Sequence, residues 1–334
     1  MKQRLTAGAG ATLYDARMQD MPVPPGDADP ATRDRARGAL LGLAVGDALG
    51  TTLEFSRRDQ HPHHAEMTGG GPFGLAPGQW TDDTSMALAL ADSLVAQSLV
   101  AGGGLAPRDL MDRFRRWWRQ GEYSCTGRCF DIGIATRQAL ARYEAKGDPM
   151  AGSTDPQTAG NGSLMRLAPV ALLGWRDAAG MRRIAAEQSR TTHAAPQAVE
   201  ACEFFALLLR QAILGAPRTA VLAPRDWPGD PGIAAAANGI WRGRERAAVR
   251  SSGYVLHTLE AALWAVDSTD SFEAAVVLAV NLADDADTVG AVTGQLAGAL
   301  YGLSGIPARW LAPLAWQDRL VAAADALLDA GAAA

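Results

Sequence analysis

Gly38, Gly42, Gly46 and Gly50 stand four residues apart in GALLGLAVGDALG (38–50), and Gly290, Gly294, Gly298 and Gly302 repeat that spacing in VGAVTGQLAGALYG (289–302). At about 3.6 residues per turn, this spacing keeps the glycines of each set on one ridge of a helix. A glycine in a helix interior costs about 1 kcal/mol relative to alanine, so two ridges in register imply a compensating contact. Without Cβ atoms one backbone can press against another, as in the GxxxG contacts of membrane helices, and the steric argument does not require lipid. The spacing predicts two helices that cross closely near the centre of the fold. Residues 39–50 are apolar nearly all round, as a helix buried in a large domain is.

Most of the chain between the ridges also reads as helix. SMALALADSLVAQSL (85–99) places Met86, Leu90 and Leu94 on one face. PRDLMDRFRRWWRQG (107–121) does the same with Leu110, Phe114, Trp117 and Trp118, and has Pro107 near its start. Further helical periods occupy 135–145, 181–190, 196–214, 254–266 and 271–283, whereas alternating strand patterns are scarce. Residues 147–163 and 215–253, rich in proline and glycine, read as loops. Residues 1–33 lack a hydrophobic period and contain MPVPPGDADP (21–30), which predicts a flexible N-terminal arm. The expectation is an all-α fold: one helical domain over 34–330, with a disordered tail at 331–334.

Bulk properties exclude some roles. A net charge of -5 argues against a general nucleic-acid binder. Three cysteines (Cys125, Cys129 and Cys202), with no CxxC pair, suggest a reducing compartment and no disulfide framework. No apolar window reaches the about 18 residues of a membrane span, and no signal peptide is evident, so the expected location is cytoplasmic.

The chemistry concentrates at two helix starts. WTDDTSMALAL (80–90) sets Asp82 and Asp83 between Thr81 and Thr84, and NLADDADTVGAV (281–292) sets Asp284, Asp285 and Asp287 before Thr288. Either could be N-capping, since Asp and Thr suit the Ncap position and the helix dipole. Capping needs one acid, however, and together the two motifs exceed it. Brought near one another, these carboxylates would repel unless cations or protons intervened. Oxygen ligands without Cys or His at ligand spacing point to a hard cation: Mg²⁺, Mn²⁺ or Ca²⁺. Asp82, Asp83, Asp285 and Asp287, with the Thr81 and Thr288 hydroxyls, are enough for a binuclear site.

Other residues are less specific. Glu54 follows the first glycine ridge, and is either a surface carboxylate or a group that ridge packing carries towards the metals. GNGSLMRLAPV (160–170) is a glycine-bracketed turn of the kind that presents N–H groups to phosphate. Arg166 could reach the same phosphate or form a structural ion pair. His193 could contact a substrate or be a buried, hydrogen-bonded residue. HPHH (61–64) reads as a surface loop, His257 as helix packing, and Cys125 and Cys129 as thiols without a base.

Taken together, RGALLGLAVGDALGTTLEF (37–55), GGGPFGLAPGQWTDDTSMALALADSL (69–94), TGRCFDIGIATRQAL (126–140), GNGSLMRLAPVAL (160–172), SRTTHAAPQA (189–198), SGYVLHTLEAALWA (252–265) and DDADTVGAVTGQLAGALYG (284–302) resemble the ADP-ribosylglycohydrolases. That resemblance implies an all-α orthogonal helical bundle with a dimagnesium cleft, Mn²⁺ being an alternative in the same ligands. It implies Thr81, Asp82, Asp83, Asp285, Asp287 and Thr288 as metal ligands, and Glu54 and Asp131 as catalytic carboxylates. Gly133, the turn Gly160, Asn161, Gly162, Ser163 and Leu164, and His193 and Tyr254 fall where the family binds ADP-ribose. Ala283 departs from the pattern, since a glycine commonly precedes the acidic run.

The implied activity is hydrolysis of ADP-ribose from a modified protein, with arginine the expected linkage. Cleavage of such an N-glycosidic bond passes through an oxocarbenium-like state that needs an aligned ribose, a water and compensating charge. The alternative is an immunity protein acting against an ADP-ribosylating toxin, by reversing the modification or by blocking the toxin with residues 1–33. The expected partners are thus an ADP-ribosylated protein or a cognate toxin, with no membrane partner.

Overall fold

The computed structural model describes residues 26–99 and 104–333. Its α-helices, in chain order, are α1 Pro30–Gly50, α2 Asp82–Ser98, α3 Pro107–Gln120, α4 Ile134–Lys146, α5 Ala168–Leu173, α6 Ala178–Thr192 and α7 Pro196–Ile213. They continue with α8 Arg218–Val221, α9 Pro231–Ala237, α10 Val255–Asp267, α11 Phe272–Val280, α12 Ala286–Tyr301, α13 Ala308–Leu311 and α14 Gln317–Ala333. No strand occurs among the described residues, only isolated bridges such as Gly160–Tyr254. The fold is a single all-α domain, as the periodicity predicts. Among the described residues no helix is long and apolar enough to cross a membrane.

The two glycine ridges meet at its centre. A Cβ added to Gly38, Gly42 or Gly46 would lie 2.2, 2.3 or 2.0 Å from the carbonyl oxygen of Gly298, Gly294 or Gly290, respectively. The reverse additions at Gly290, Gly294 and Gly298 would collide with Gly46, Gly42 and Gly38. α1 and α12 therefore run antiparallel with their backbones in contact along successive turns, a longer contact than a simple crossing. Gly302 closes the contact from beyond the helix: it takes φ +76° after α12, its carbonyl carbon would lie 2.6 Å from a Cβ at Gly38, and a Cβ of its own would meet Asp34. At the other end Gly50 packs on the Ala286 carbonyl. This register brings the end of α1 beside the start of α12, which is where the acids are.

The expected boundaries move outwards. Residues 30–33, assigned to the arm, form the first turn of α1, because Pro30 suits the first helical position and Asp29 Oδ1 accepts from Thr32 N at 2.6 Å. Residues 331–333, assigned to a disordered tail, continue α14, with Gly331 buried against the Leu173 carbonyl. The remainder of the expected arm, residues 1–25, and Ala334 lie outside the described residues. The stretch 215–253 holds α8 and α9 rather than continuous loop. Its Pro231 starts a helix whose N-cap, Asp230, accepts from Gly232 and Ile233. A proline read as a breaker is here an initiator.

Candidate metal centre

The acids of α1 and of the turn after it reach both acidic helix starts. Asp47 is wholly buried and accepts from Thr81 N at 2.8 Å, Thr81 Oγ1 at 2.9 Å, Thr84 N at 3.0 Å and Thr84 Oγ1 at 2.6 Å. It caps α2 from another helix, in place of Thr81, whose own side chain makes no cap bond. Glu54 follows the 3₁₀ turn Thr51–Leu53 and does the same for α12: its Oε2 accepts from Ala286 N at 2.8 Å and Asp287 N at 3.4 Å. Capping is thus supplied in trans, and Asp82, Asp83 and Asp285 are released from it.

Two acids of the second motif converge with Glu54. Glu54, Asp285 and Asp287 each place an oxygen within 4.8 Å of the others. Asp83 Oδ2 lies 3.4 Å from both Thr81 Oγ1 and Thr288 Oγ1, and Thr81 Oγ1 is 3.4 Å from Asp287 Oδ2. Asp83 Oδ1 is buried with no hydrogen-bond partner. Asn161 Nδ2 orients Asp285 Oδ2 at 2.7 Å and is itself tied to Thr258 Oγ1 at 2.8 Å. Segments remote in the chain therefore form a clustered acidic site suited to metal coordination.

Burial, reinforced by like charges, raises these carboxylates. Asp47 is pushed up to about 7 and Asp285 to about 8 by burial and then by Asp287. Burial lifts Asp131 and Asp287 to about 6. Glu54, Asp82 and Asp83 are held well above the ordinary carboxylate range for the same reason, with neighbouring aspartates adding to it. An oxygen-only donor set in this state, with one buried oxygen lacking any partner, fits hard divalent cations.

A cavity of about 550 Å³ opens onto the cluster. Its wall includes Glu54, Asp82, Asp131, Asp285, Asp287 and Thr288, together with Gly133, Gly160, Asn161, Gly162 and His193. Thr81 and Asp83 sit behind that wall, fully buried. Ser163 and Leu164 are also fully buried and off the wall, the Ser163 hydroxyl being bonded to Ser189 at 2.8 Å. Three amides of the turn have internal acceptors: Gly160 N donates to Thr158, Asn161 N to Gly253 and Leu164 N to Asn161. Of the remaining two amides, that of Gly162 is on the cavity wall and available to an anion. Tyr254 stands outside the wall, partly exposed, edge-on to His257 and bonded through its hydroxyl to Gln197.

His193 is the buried, hydrogen-bonded residue of one expected role, and it also lines the cavity. It is buried, with Nδ1 2.9 Å from Thr192 Oγ1, and its ring packs so tightly on the turn that a Cβ at Gly162 would lie 2.7 Å from Cε1. Burial and then Arg166 lower its pKa to about 3, so it faces the cavity as a neutral ring. Arg166 takes neither of its expected roles. Its guanidinium is fully buried, bonded at 2.9 Å each to Gln188 Oε1, the Gln188 carbonyl and Thr192 Oγ1, and lies over Phe114. It binds the end of α6 that positions His193.

Asp47 was not singled out by the sequence reading. The available signal was the one acid in the apolar stretch 39–50, beside a ridge glycine. Asp47→Ala is expected to lower stability by about 2–4 kcal/mol, because two buried amides lose their acceptor, and urea denaturation measures it. Cys125 and Cys129 are raised to about 11 and 12 by burial, consistent with thiols that are not nucleophiles.

Comparison with known proteins agrees with this geometry. The model of the family described as ADP-ribosylglycohydrolase matches residues 28–334. The chain is 49% identical over 296 residues to "ADP-ribosylarginine hydrolase Tri1" of Pseudomonas putida (strain GB-1), covering 89% of this chain and 78% of that protein. It is 36% identical to "ADP-ribosyl-[dinitrogen reductase] glycohydrolase" of Rhodospirillum rubrum, covering 85% and 92% of the two chains. A solved structure described as "ADP-ribosylglycohydrolase-related protein complex" superposes with a TM-score of 0.80 at 45% identity, covering 90% of this chain and 99% of that one. The chain belongs to the ADP-ribosylglycohydrolase family.

Proposed function

We propose that this protein is a metal-dependent hydrolase that removes ADP-ribose from arginine side chains of modified proteins. The observation that carries the reading is the convergence of Asp82, Asp285 and Asp287 at the wall of one cavity, with Asp83 just behind it, beside a turn whose Gly162 amide is available. The relatives named as arginine hydrolases supply the linkage. Thr81, Asp82, Asp83, Asp285, Asp287 and Thr288 would hold two Mg²⁺, with Mn²⁺ accepted by the same oxygens. Bound there, the ions supply charge neutralisation and Lewis acidity to ribose hydroxyls and water.

The chain's own groups do the rest. The Gly162 amide receives the diphosphate, with neutral His193 beside it. Glu54 and Asp131 stand on the cavity wall, where either can take the proton from the attacking water. The bond between the ribose C1″ and the guanidine nitrogen breaks as the water oxygen bonds to C1″. The nitrogen regains a proton, so the products are the protein's unmodified arginine side chain and ADP-ribose.

The test is incubation of the purified protein with arginine-linked and serine-linked mono-ADP-ribosylated proteins, with and without Mg²⁺. Release from the arginine linkage alone, abolished by chelation, is the expected result. No release from any arginine-linked substrate overturns the reading.

A second role is engagement of a protein partner, for which we take an ADP-ribosylating toxin as the candidate; what supports a partner is that a solved relative is described as a complex. Its test is deletion of residues 1–26, which stops short of the Asp29 cap of α1. Loss of toxin binding with turnover retained supports it, and unchanged binding excludes a blocking arm.

A further inference from the structure

Resting on the arginine-directed reading above, we propose that Phe55 and Asp284 form the subsite that grips the arginine side chain of the substrate, the leaving group of the reaction. Both line the cavity mouth, and each is the chain neighbour of a carboxylate of the acidic cluster: Phe55 follows Glu54, and Asp284 precedes Asp285. Phe55 is 68% exposed, an unusual state for a phenylalanine beside a buried site. Asp284 is exposed as well; the Arg58 guanidinium and the His257 ring feel its charge, but neither makes an ion pair with it among the described residues.

The two residues are built as a pair. Phe55 N donates to the Asp284 carbonyl at 2.7 Å, and Asp284 N donates to the Ser56 carbonyl at 3.0 Å. Phe55, Ala283 and Asp284 have φ of 59°, 60° and 65°, left-handed values that residues with a Cβ seldom adopt. The reciprocal bonds hold this costly backbone and keep both residues at one rim. Phe73 meets the Phe55 ring edge-on at 6.3 Å, and Phe130, next to Asp131, supports Phe73 at 5.2 Å. The exposed ring is thus buttressed from behind.

An aromatic face and an unpaired carboxylate at one rim match the chemistry of a guanidinium. It is a planar cation that stacks on a ring while its N–H edge donates to a carboxylate. A hydroxyl-linked substrate offers neither feature. This pairing also gives a role to Asp284, the one acid of the 284–287 run outside the tight cluster.

The experiment compares Mg²⁺-loaded wild type, F55A, F55W and D284N on an arginine-linked ADP-ribosyl peptide, and measures binding of free ADP-ribose by calorimetry. F55A and D284N are expected to raise KM about 3- to 30-fold, the range of exposed to desolvated cation–π contacts. F55W is expected to restore KM, and affinity for ADP-ribose to stay within twofold of wild type in all variants, since it lacks the arginine. Unchanged KM in either F55A or D284N overturns the paired subsite. So does a parallel loss of ADP-ribose binding, which would place the residue in the nucleotide cradle or the fold. If the wild type binds ADP-ribose yet releases none from arginine, the functional reading itself falls and takes this inference with it.

Discussion

Gly46→Val is expected to yield a protein that does not fold stably, with a loss of about 3 kcal/mol or more and recovery largely in inclusion bodies. A Cβ there would sit 2.0 Å from the Gly290 carbonyl oxygen and 2.4 Å from its carbon. Both atoms are backbone, so no rotamer change relieves the clash. The two helices must separate instead, and tightly packed interiors resist that. Separation would also withdraw the Gly50 end of α1 from Ala286, and with it the Glu54 cap of α12. Gly294→Val should behave alike, since its Cβ would lie 2.0 Å from the Gly42 oxygen. Gly127→Val is the control for loss of a glycine: space at its Cβ is open, and only its positive φ of 73° is strained. Circular dichroism and urea melts compare the three. Wild-type stability in either ridge variant would refute the backbone contact.

The second large effect has opposite signs with and without metal. Asp83 is fully buried, its Oδ1 has no partner, and burial together with Asp47, Asp287 and Asp82 disfavours its charge. Asp83→Asn removes that charge at nearly constant shape, so without divalent ions the variant should melt above the wild type. Mg²⁺ at a hundredfold excess over its dissociation constant stabilises a folded state by about 2.7 kcal/mol. The wild type should gain that increment, and Asp83→Asn most of it should lose. Removal of a group worth several kcal/mol in the transition state should lower turnover about 10³-fold. Thermal melts with and without Mg²⁺ read the first two effects independently of any activity. A variant that binds Mg²⁺ as tightly as wild type would remove Asp83 from the ligand set.

The acidic motifs were legible because charge beside apolar helices has few bland explanations, and two such motifs have fewer. The trans caps were not. Asp47 contacts Thr81 and Thr84, 34 and 37 residues away, and no local pattern links them. Read locally, Asp82 and Asp285 are good N-caps; in the folded chain that work falls to Asp47 and Glu54. The same limit applies to the glycine-bracketed turn at 160–164. Its glycine bracket was visible, but which amides stay available depends on Gly253 and Thr158, which accept two of them. Arg166 shows the converse: a charge that sequence assigns to a ligand or an ion pair is instead surrounded by a carbonyl, an amide oxygen and a hydroxyl.

Sequence alone determined the helical class, the two backbone-contact ridges and the oxygen-only donor set, because these follow from local periodicity and side-chain chemistry. Tertiary structure decided which carboxylate caps, which faces the cavity and which stands at the rim. Those roles depend on the register of α1 against α12 and on burial, and both arise only when remote segments pack together.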